Sequence, residues 1–424
     1  MLRRFSLYGF LKNQQYYDYF LLLAFRQMGL NYFMIGLLIA FREVMINIIE
    51  VPSGAVADTC GRRDSMIFSF LAYIVSFAIF GLSGTAAKDL FMARHLLMPL
   101  LFLAMFFFAM GEAFRTGTHK SLIFTWLRIQ ERTEERTKVY GYTRSWSKIG
   151  SAVSVIVACV IVFITSNFIY VFFFAIIPYL LNIINFLGYP KEIDCKIEDR
   201  ISLGDIIRHL KDTVMISVNQ RGIRRLILES MGFEGFFKAS KDYLQPILMA
   251  AAVPFTAVLF TDIQLSEEQR SVVLIGPVYF LLFLMSAAAS RNAFRLVSGS
   301  GHEDKTARYL WGITIIIFFA LLPSMYYGVP WVMITGFILL HIIQNLWRPV
   351  LISRFDAHSD EARGATILSI ESQAKSLSTM IIAPILGSAI DLARNSGTGM
   401  SEFWPMALLG LLIALGFFLA PVKE

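Results

Sequence analysis

The sequence predicts an all-α integral membrane protein with about twelve membrane-spanning helices. Three observations predict it. Hydrophobic residues make up 56% of the 424-residue chain and charged residues 16%, with a mean hydropathy of +0.61. A soluble core is limited by its volume and needs less apolar surface than this, whereas helices facing lipid need more. Apolar stretches of roughly 20 residues, the length that crosses the hydrocarbon of a bilayer, follow one another along the chain. Lys and Arg gather in alternate connections, as they do on the cytoplasmic side of multi-pass proteins.

In order, the expected spans are 11–29, 33–57, 65–84, 97–118, 142–164, 167–189, 224–247, 271–294, 307–326, 330–352, 365–391 and 402–421. The first, seventh and eleventh are the least apolar. Three connections rich in Lys and Arg, 119–141, 190–223 and 295–306, fall on one side together with Arg3, Arg4, Lys12, Arg62, Arg63, Arg354 and Arg363. The other side has Lys88, Arg94, Arg270 and Arg394. This bias places both termini in the cytoplasm of a cell whose inner membrane holds the protein. It also accounts for the net charge of +7, and no interleaving of aromatic and basic residues suggests a nucleic-acid partner. Cys60, Cys159 and Cys195 are scattered and form neither a disulfide framework nor a metal site. No small-residue cleavage site follows Met1-Leu-Arg-Arg, so no cleavable signal peptide is expected.

The 190–223 connection divides the chain into two expected six-helix bundles, residues 1–189 and 224–424. Within it, Ser202 is placed to cap a helix with Asp205 in its first turn, and Leu203, Ile206, Ile207, Leu210 and Val214 share one face. Two readings fit: an amphipathic helix lying on the membrane surface, or a linker with some helical propensity. The halves carry a faint repeat. Arg136, Ser145 and Lys148 align without gaps with Arg363, Ser372 and Lys375, in the expected fifth and eleventh helices. Parallel repeats of this kind build one site from two bundles.

Between the second and third spans runs Glu50-Val-Pro-Ser-Gly54-Ala-Val-Ala-Asp58-Thr-Cys60-Gly61-Arg62-Arg63. This Gly-x-x-x-Asp-x-x-Gly-Arg-Arg cluster resembles the cytoplasmic signature loop of the major facilitator superfamily, in its bacterial twelve-helix form. The resemblance implies a carrier in which two bundles rock about a central cavity. It makes Asp58, Arg62 and Arg63 a cytoplasmic gate, with Gly54 and Gly61 allowing close helix approach and a tight turn. The alternative is that Arg62 and Arg63 only anchor topology. Two departures stand out. Ser290-Arg291-Asn-Ala-Phe-Arg295 lacks the acidic and glycine pattern, and Ile149-Gly150-Ser151-Ala152-Val153 lacks the Gly-Pro…Gly-Gly pattern of drug/proton antiporters in the family.

Ionisable groups within a span cost about 2.5–3.5 kcal/mol each on insertion scales, so cavity lining or pairing must offset them. Helical spacing sorts them into faces. Glu43, Asn47, Glu50 and Gly54 share a face in the second span, with Arg42 beside it; a polar helix–helix seam and a functional site both fit. Glu112, Arg115 and His119 share a face in the fourth, where Glu112 and Arg115 can pair; His119 and Lys120 are assigned to the cytoplasmic mouth. In the seventh, Glu234, Lys238, Lys241 and Gln245 line one face beside Asp242, open to substrate or to internal pairing. Arg144, Lys148, Glu371 and Lys375 come from the fifth and eleventh helices. His341, Asn345 and Arg348 come from the tenth, and Asp18 from the first.

The chain has no Gly-rich phosphate loop with a Lys, so ATP-driven transport is not expected. No catalytic motif, metal-ligand spacing or cofactor site appears. The expected activity is secondary transport of a small charged or zwitterionic organic solute, coupled to protons through Glu43, Glu112 or Glu234, by a monomer. Export of amphipathic drugs or siderophores and a non-transporting membrane sensor are the alternatives.

Overall fold

The computed structural model describes residues 1–88, 94–116, 118–132, 135–190, 193, 220–261, 263–300, 302–358 and 364–420. Among them the regular structure is helical: α1 Leu2–Lys12, α2 Leu21–Gln27, α3 Tyr32–Cys60, α4 Arg62–Lys88, α5 Arg94–Arg115, α6 Thr118–Ile129, α7 Arg136–Thr165, α8 Tyr170–Leu187, α9 Arg221–Leu259, α10 Glu267–Ser300, α11 Glu303–Tyr326, α12 Pro330–His358, α13 Gly364–Ser396 and α14 Trp404–Leu419. Ten of these helices are long and apolar enough to cross a membrane, and α14 is a shorter apolar helix. Most carry an internal proline, for example Pro52, Pro99 and Pro178, which membrane helices tolerate because neighbours re-satisfy the freed carbonyl.

Several expected boundaries are corrected. The expected first span, 11–29, is not one helix: α1 begins at Leu2 and stops at Lys12, and α2 does not begin until Leu21. Asn13 Nδ2 donates to Gly9 O at 2.8 Å, closing the end of α1 by taking one of its last free carbonyls. The expected basic loop 119–141 is largely helical, as α6 and the start of α7, and the expected loop 295–306 shrinks to a break between Ser300 and Glu303. The amphipathic helix expected at 202–214 lies outside the described residues.

The chain forms two compact units. The N-terminal unit is Met1–Gly29 with Phe41–Leu203, and the C-terminal unit is Leu30–Ala40 with Gly204–Glu424. In the N-terminal unit α4 packs on α5 and α8 around Phe70, Tyr73, Phe77, Phe80, Phe172 and Phe186, all but solvent-free. Tyr73 stacks on Tyr179 with ring centroids 4.6 Å apart. Between lipid-embedded helices there is little hydrophobic drive, so shape and polar contacts matter more. Ser69 Oγ donates to Gly111 O at 2.7 Å and Ser76 Oγ to Ala104 O at 2.8 Å, joining α4 to α5.

In the C-terminal unit α11 packs on α12 and α14, and α10 on α9 and α12. Trp311, Trp347, Phe233 and Phe417 interlock there, Trp311 stacking on Phe417 at 5.1 Å and Phe233 lying 5.3 Å from Trp347. The start of α3 belongs to this unit. Asp391 of α13 accepts from the backbone N–H of Tyr32 at 3.1 Å and of Phe33 at 2.8 Å. A carboxylate thus sits on the first free N–H groups of α3, where the helix dipole favours it.

Candidate functional site

Both units hold charges clustered from several helices. In the N-terminal unit a cavity of about 610 Å³ opens among α1, the end of α5 and α7. Two glycines let α1 and α7 approach closely. A Cβ on Gly9 would stand 2.8 Å from Thr143 O, and one on Gly150 would collide with the backbone of Phe10. This contact brings Lys12, the last residue of α1, beside Arg144, Ser147, Lys148 and Ser151, which recur at helical spacing along α7 and line the cavity.

Glu112 and Arg115 complete the lining from α5. They form the ion pair their spacing predicted, and Tyr73 Oη donates to the other oxygen of Glu112. Gly111 makes room for the Tyr73 ring, since a Cβ there would lie 2.7 Å from it. The aromatic core of the unit therefore sets the hydroxyl that orients Glu112. His119 also lines the cavity, with its ring centroid 3.9 Å from Tyr8 and 5.6 Å from Phe5. The side chain of Lys120 lies outside the described residues.

In the C-terminal unit the cluster is Glu234, Arg348, Glu371 and Lys375. One nitrogen of Arg348, Nη1, lies 2.7 Å from Glu371 Oε1 and 3.0 Å from Glu234 Oε2. Lys375 Nζ lies 3.2 Å from Glu234 Oε2 and 4.0 Å from Glu371 Oε1. Ser230 Oγ donates to Glu371 as well. Both carboxylates are buried, yet Glu234 Oε1 and Glu371 Oε2 make no hydrogen bond. Two negative and two positive charges balance.

The backbone that carries Glu234 is a π-turn, Met231–Gly235, inside α9. Such turns insert a residue, shift helical phase and frequently mark functional sites. Here α13 stabilises it. Ser378 Oγ donates to Met231 O at 2.7 Å and Thr379 Oγ1 to Gly235 O at 3.2 Å. Gly235 is needed for that approach, because a Cβ would stand 2.6 Å from Ser378 Cβ.

The face expected for the seventh span crosses this π-turn and a 3-10 turn at Lys241–Tyr243. Glu234 meets cations from α12 and α13, while Lys241 pairs with Asp242 at 3.1 Å. Lys238 is half-buried and Gln245 fully buried on the same helix. His341 and Asn345 bond back to their own helix: His341 Nδ1 lies 2.8 Å from Phe337 O, and Asn345 Nδ2 donates to His341 O at 2.9 Å. In α3, Glu43 is fully buried and pairs with Arg42 at 3.0 Å; Asn47, one turn on, is half-buried. Asp18 is half-buried in the break between α1 and α2 rather than on a helix face.

The signature loop also takes shape. Gly61 has φ +110°, the tight turn expected of it. At Gly54 an added Cβ would meet no described atom within 4 Å. Arg62 Nη1 donates to Thr125 Oγ1 of α6 at 3.2 Å. Arg63 donates to the carbonyls of Phe186 and Leu187, each at 3.0 Å, covering the end of α8 where cations are favoured. The side chain of Asp58 lies outside the described residues.

A third cluster was missed in the sequence. Arg354 lies 2.6 Å from Glu229 and 2.7 Å from Asp304, and Arg225 lies 2.9 Å from Glu229. Arg354 had counted only toward topology. The spacing of four between Arg225 and Glu229 was the available signal. Among the described residues no group of three or more His, Cys, Asp or Glu is placed to hold a metal ion.

A family model described as Major Facilitator Superfamily matches residues 13–383. The chain belongs to the major facilitator superfamily. Solved members resemble it in fold. A mutant form of the nucleoside transporter NupG matches with TM-score 0.71 at 13% identity, over 99% of this chain and 98% of that one. A bacterial homologue of the iron transporter ferroportin, inward-facing, matches with TM-score 0.69 at 13% identity, over 99% and 98%. A D-xylose-proton symporter matches with TM-score 0.66 at 13% identity, over 100% and 97%. None of the curated protein sequences matches. This major facilitator chain is therefore a multi-pass membrane transporter by family, and its clusters must be read from their own chemistry.

Proposed function

We propose that this chain is a secondary active carrier that moves a small charged or zwitterionic organic solute by alternating access, coupled to protons. It works as a monomer in the inner membrane, with both termini cytoplasmic and with residues 1–189 and 224–424 as the two moving bundles. Its N-terminal cavity holds solute, and its C-terminal cluster handles the proton.

The observation that carries the reading is the arrangement of Glu234 and Glu371. They accept from one nitrogen of Arg348, and each keeps a buried oxygen without a hydrogen bond. Such an oxygen is costly while the carboxylate is charged. In this arrangement Arg348 and Lys375 supply the counter-charge of both carboxylates. When the cluster opens, the carboxylate that loses its cation is left desolvated and takes a proton. Closing the cluster expels that proton. Glu43 and Glu112 have their own arginines, Arg42 and Arg115, and are the weaker choices. The family membership and the symporter among the structural neighbours support the same class.

The test is proteoliposomes carrying an internal pH dye, challenged with a panel of charged and neutral metabolites. Solute-dependent proton movement is expected, and it disappears in Glu371→Gln. Solute flux without proton movement would remove the coupling, and absence of flux for the whole panel would remove the carrier.

A further inference from the structure

We propose that the cavity of the N-terminal unit binds a multiply charged anion, a phosphate ester or a polycarboxylate, through Lys12, Arg115, Arg144 and Lys148. That this anion is the transported solute rests on the carrier reading above; the binding site does not.

The charge around the cavity decides it. Its lining carries four permanent cations, Lys12, Arg115, Arg144 and Lys148, against one carboxylate, Glu112, which leaves a net +3. Glu112 is already held by Arg115 and by the Tyr73 hydroxyl. Among the described residues no carboxylate lies within 4 Å of Lys12, Arg144 or Lys148. Clustered cations repel one another, and a counter-charge relieves the repulsion. A neutral sugar supplies none, and a cationic amphiphile worsens the imbalance. A di- or trianion restores neutrality.

The geometry fits such a guest. The volume, about 610 Å³, lies within the roughly 300–1,000 Å³ of small-molecule sites. The cations come from three helices, so they converge on a guest instead of lining one face. Arginine offers a planar fork for carboxylate or phosphate oxygens and lysine a point charge. Arg144 and Lys148 are exposed to the opening, where they meet the guest first. Ser147 and Ser151, one and two turns along α7, line the cavity beside them, with hydroxyls that donate to Thr143 O and Ser147 O of their own helix. Arg115 is paired with Glu112, so an anion that reaches it competes directly with that carboxylate.

Thermal melting of the full chain in phosphatidylcholine nanodiscs tests the site, with glucose 6-phosphate, citrate, glucose and spermidine as probes. A ligand that binds the folded state raises the melting temperature by mass action. Glucose 6-phosphate or citrate is expected to raise it at millimolar concentration, and glucose and spermidine to leave it unchanged. Arg144→Gln and Lys148→Gln, both exposed and so tolerant of substitution, each weaken anion binding roughly tenfold or more, as loss of a charge-assisted hydrogen bond does. Lys305→Gln, on α11 of the other unit, leaves it unchanged. Stabilisation by glucose or spermidine with no effect of either anion would overturn the proposal. So would silence of both anions, or an anion effect untouched by the Arg144 and Lys148 substitutions. Binding that follows the expected pattern, with no flux of the same anion in proteoliposomes, would keep the site and sink the carrier reading instead.

Discussion

Glu371 accepts a hydrogen bond from Arg348 at 2.7 Å. Glu371 is completely buried and Arg348 is partly exposed, so one end of the pair is fixed in the protein and the other can reach water. That asymmetry suits a gate for protons. The nitrogen serving Glu371 also serves Glu234, so any movement of Arg348 changes both carboxylates at once. Glu371→Gln should abolish solute-driven proton movement while solute exchange down its own gradient continues. Paired assays of counterflow and internal pH in one proteoliposome preparation check this. Persistent, solute-dependent pH change in the variant would move coupling to another carboxylate. Arg348→Lys should impair coupling too, because a compact, strongly hydrated ammonium does not take the place of the one guanidinium nitrogen that serves both carboxylates.

Arg354 should matter for stability more than any other arginine of the C-terminal unit. Its side chain is 4% exposed, and it bridges Glu229 and Asp304. Removing one member of a buried, hydrogen-bonded pair leaves an uncompensated charge and costs about 3–5 kcal/mol. Arg354→Ala should therefore lower the melting temperature sharply, whereas Arg132→Ala, which breaks the surface pair with Glu135, should leave it where it is. Equal melting curves for the two variants would mean that the Arg354 triad is not holding its helices.

Asp391 offers a cleaner case, because its partners are backbone groups. Both of its oxygens accept from the first turn of α3. Loss of a capping side chain costs about 0.5–2 kcal/mol. Asp391→Ala should destabilise by that order and Asp391→Asn by less, since an amide oxygen still accepts one bond. Hydrogen exchange at Tyr32 and Phe33 should rise in Asp391→Ala; unchanged protection there would rule the capping role out.

The sequence made the local parts of this molecule legible and left the long-range parts hidden. Glu112 and Arg115 were read as a pair because three residues of helix bring side chains together without help from the rest of the chain. Gly61 was read as a turn from the resemblance of its loop to the family's signature, and it has the positive φ, +110°, that such a turn needs. Glu234, Arg348, Glu371 and Lys375 were each singled out as charges that a membrane would not tolerate alone. Their grouping was not legible, since it depends on the π-turn at Met231–Gly235, and the turn depends on hydroxyls more than 140 residues away at Ser378 and Thr379. The break between α1 and α2 was missed for a related reason. Residues 13–20 hold neither glycine nor proline, so nothing local announces it, and side-chain bonds such as Gln14 Nε2 to Gly150 O at 3.0 Å hold it in place. Arg354 stands at the far end of a span, where a basic residue reads as a topology marker.

Gly54 and Gly61 occupy equivalent-looking places in the signature loop but differ in what holds them. Gly61 adopts φ +110°, a conformation that costs an L-residue about 1–2 kcal/mol. Gly54 sits in the interior of α3, with no described atom within 4 Å of where a Cβ would go. There alanine is the better helix former, by about 0.5–1 kcal/mol. Gly61→Ala should therefore lower stability and disturb Arg62 and Arg63, which bond to α6 and to the end of α8 immediately after the turn. Gly54→Ala should raise stability slightly and leave transport intact. Melting temperature and flux measured on both variants separate two ideas about the loop. Should Gly54→Ala abolish transport while remaining stable, a helix must close onto Gly54 during the cycle, and the family's close-approach role for this glycine would hold. Should it transport normally, the loop works through the Gly61 turn and the two arginines that follow it.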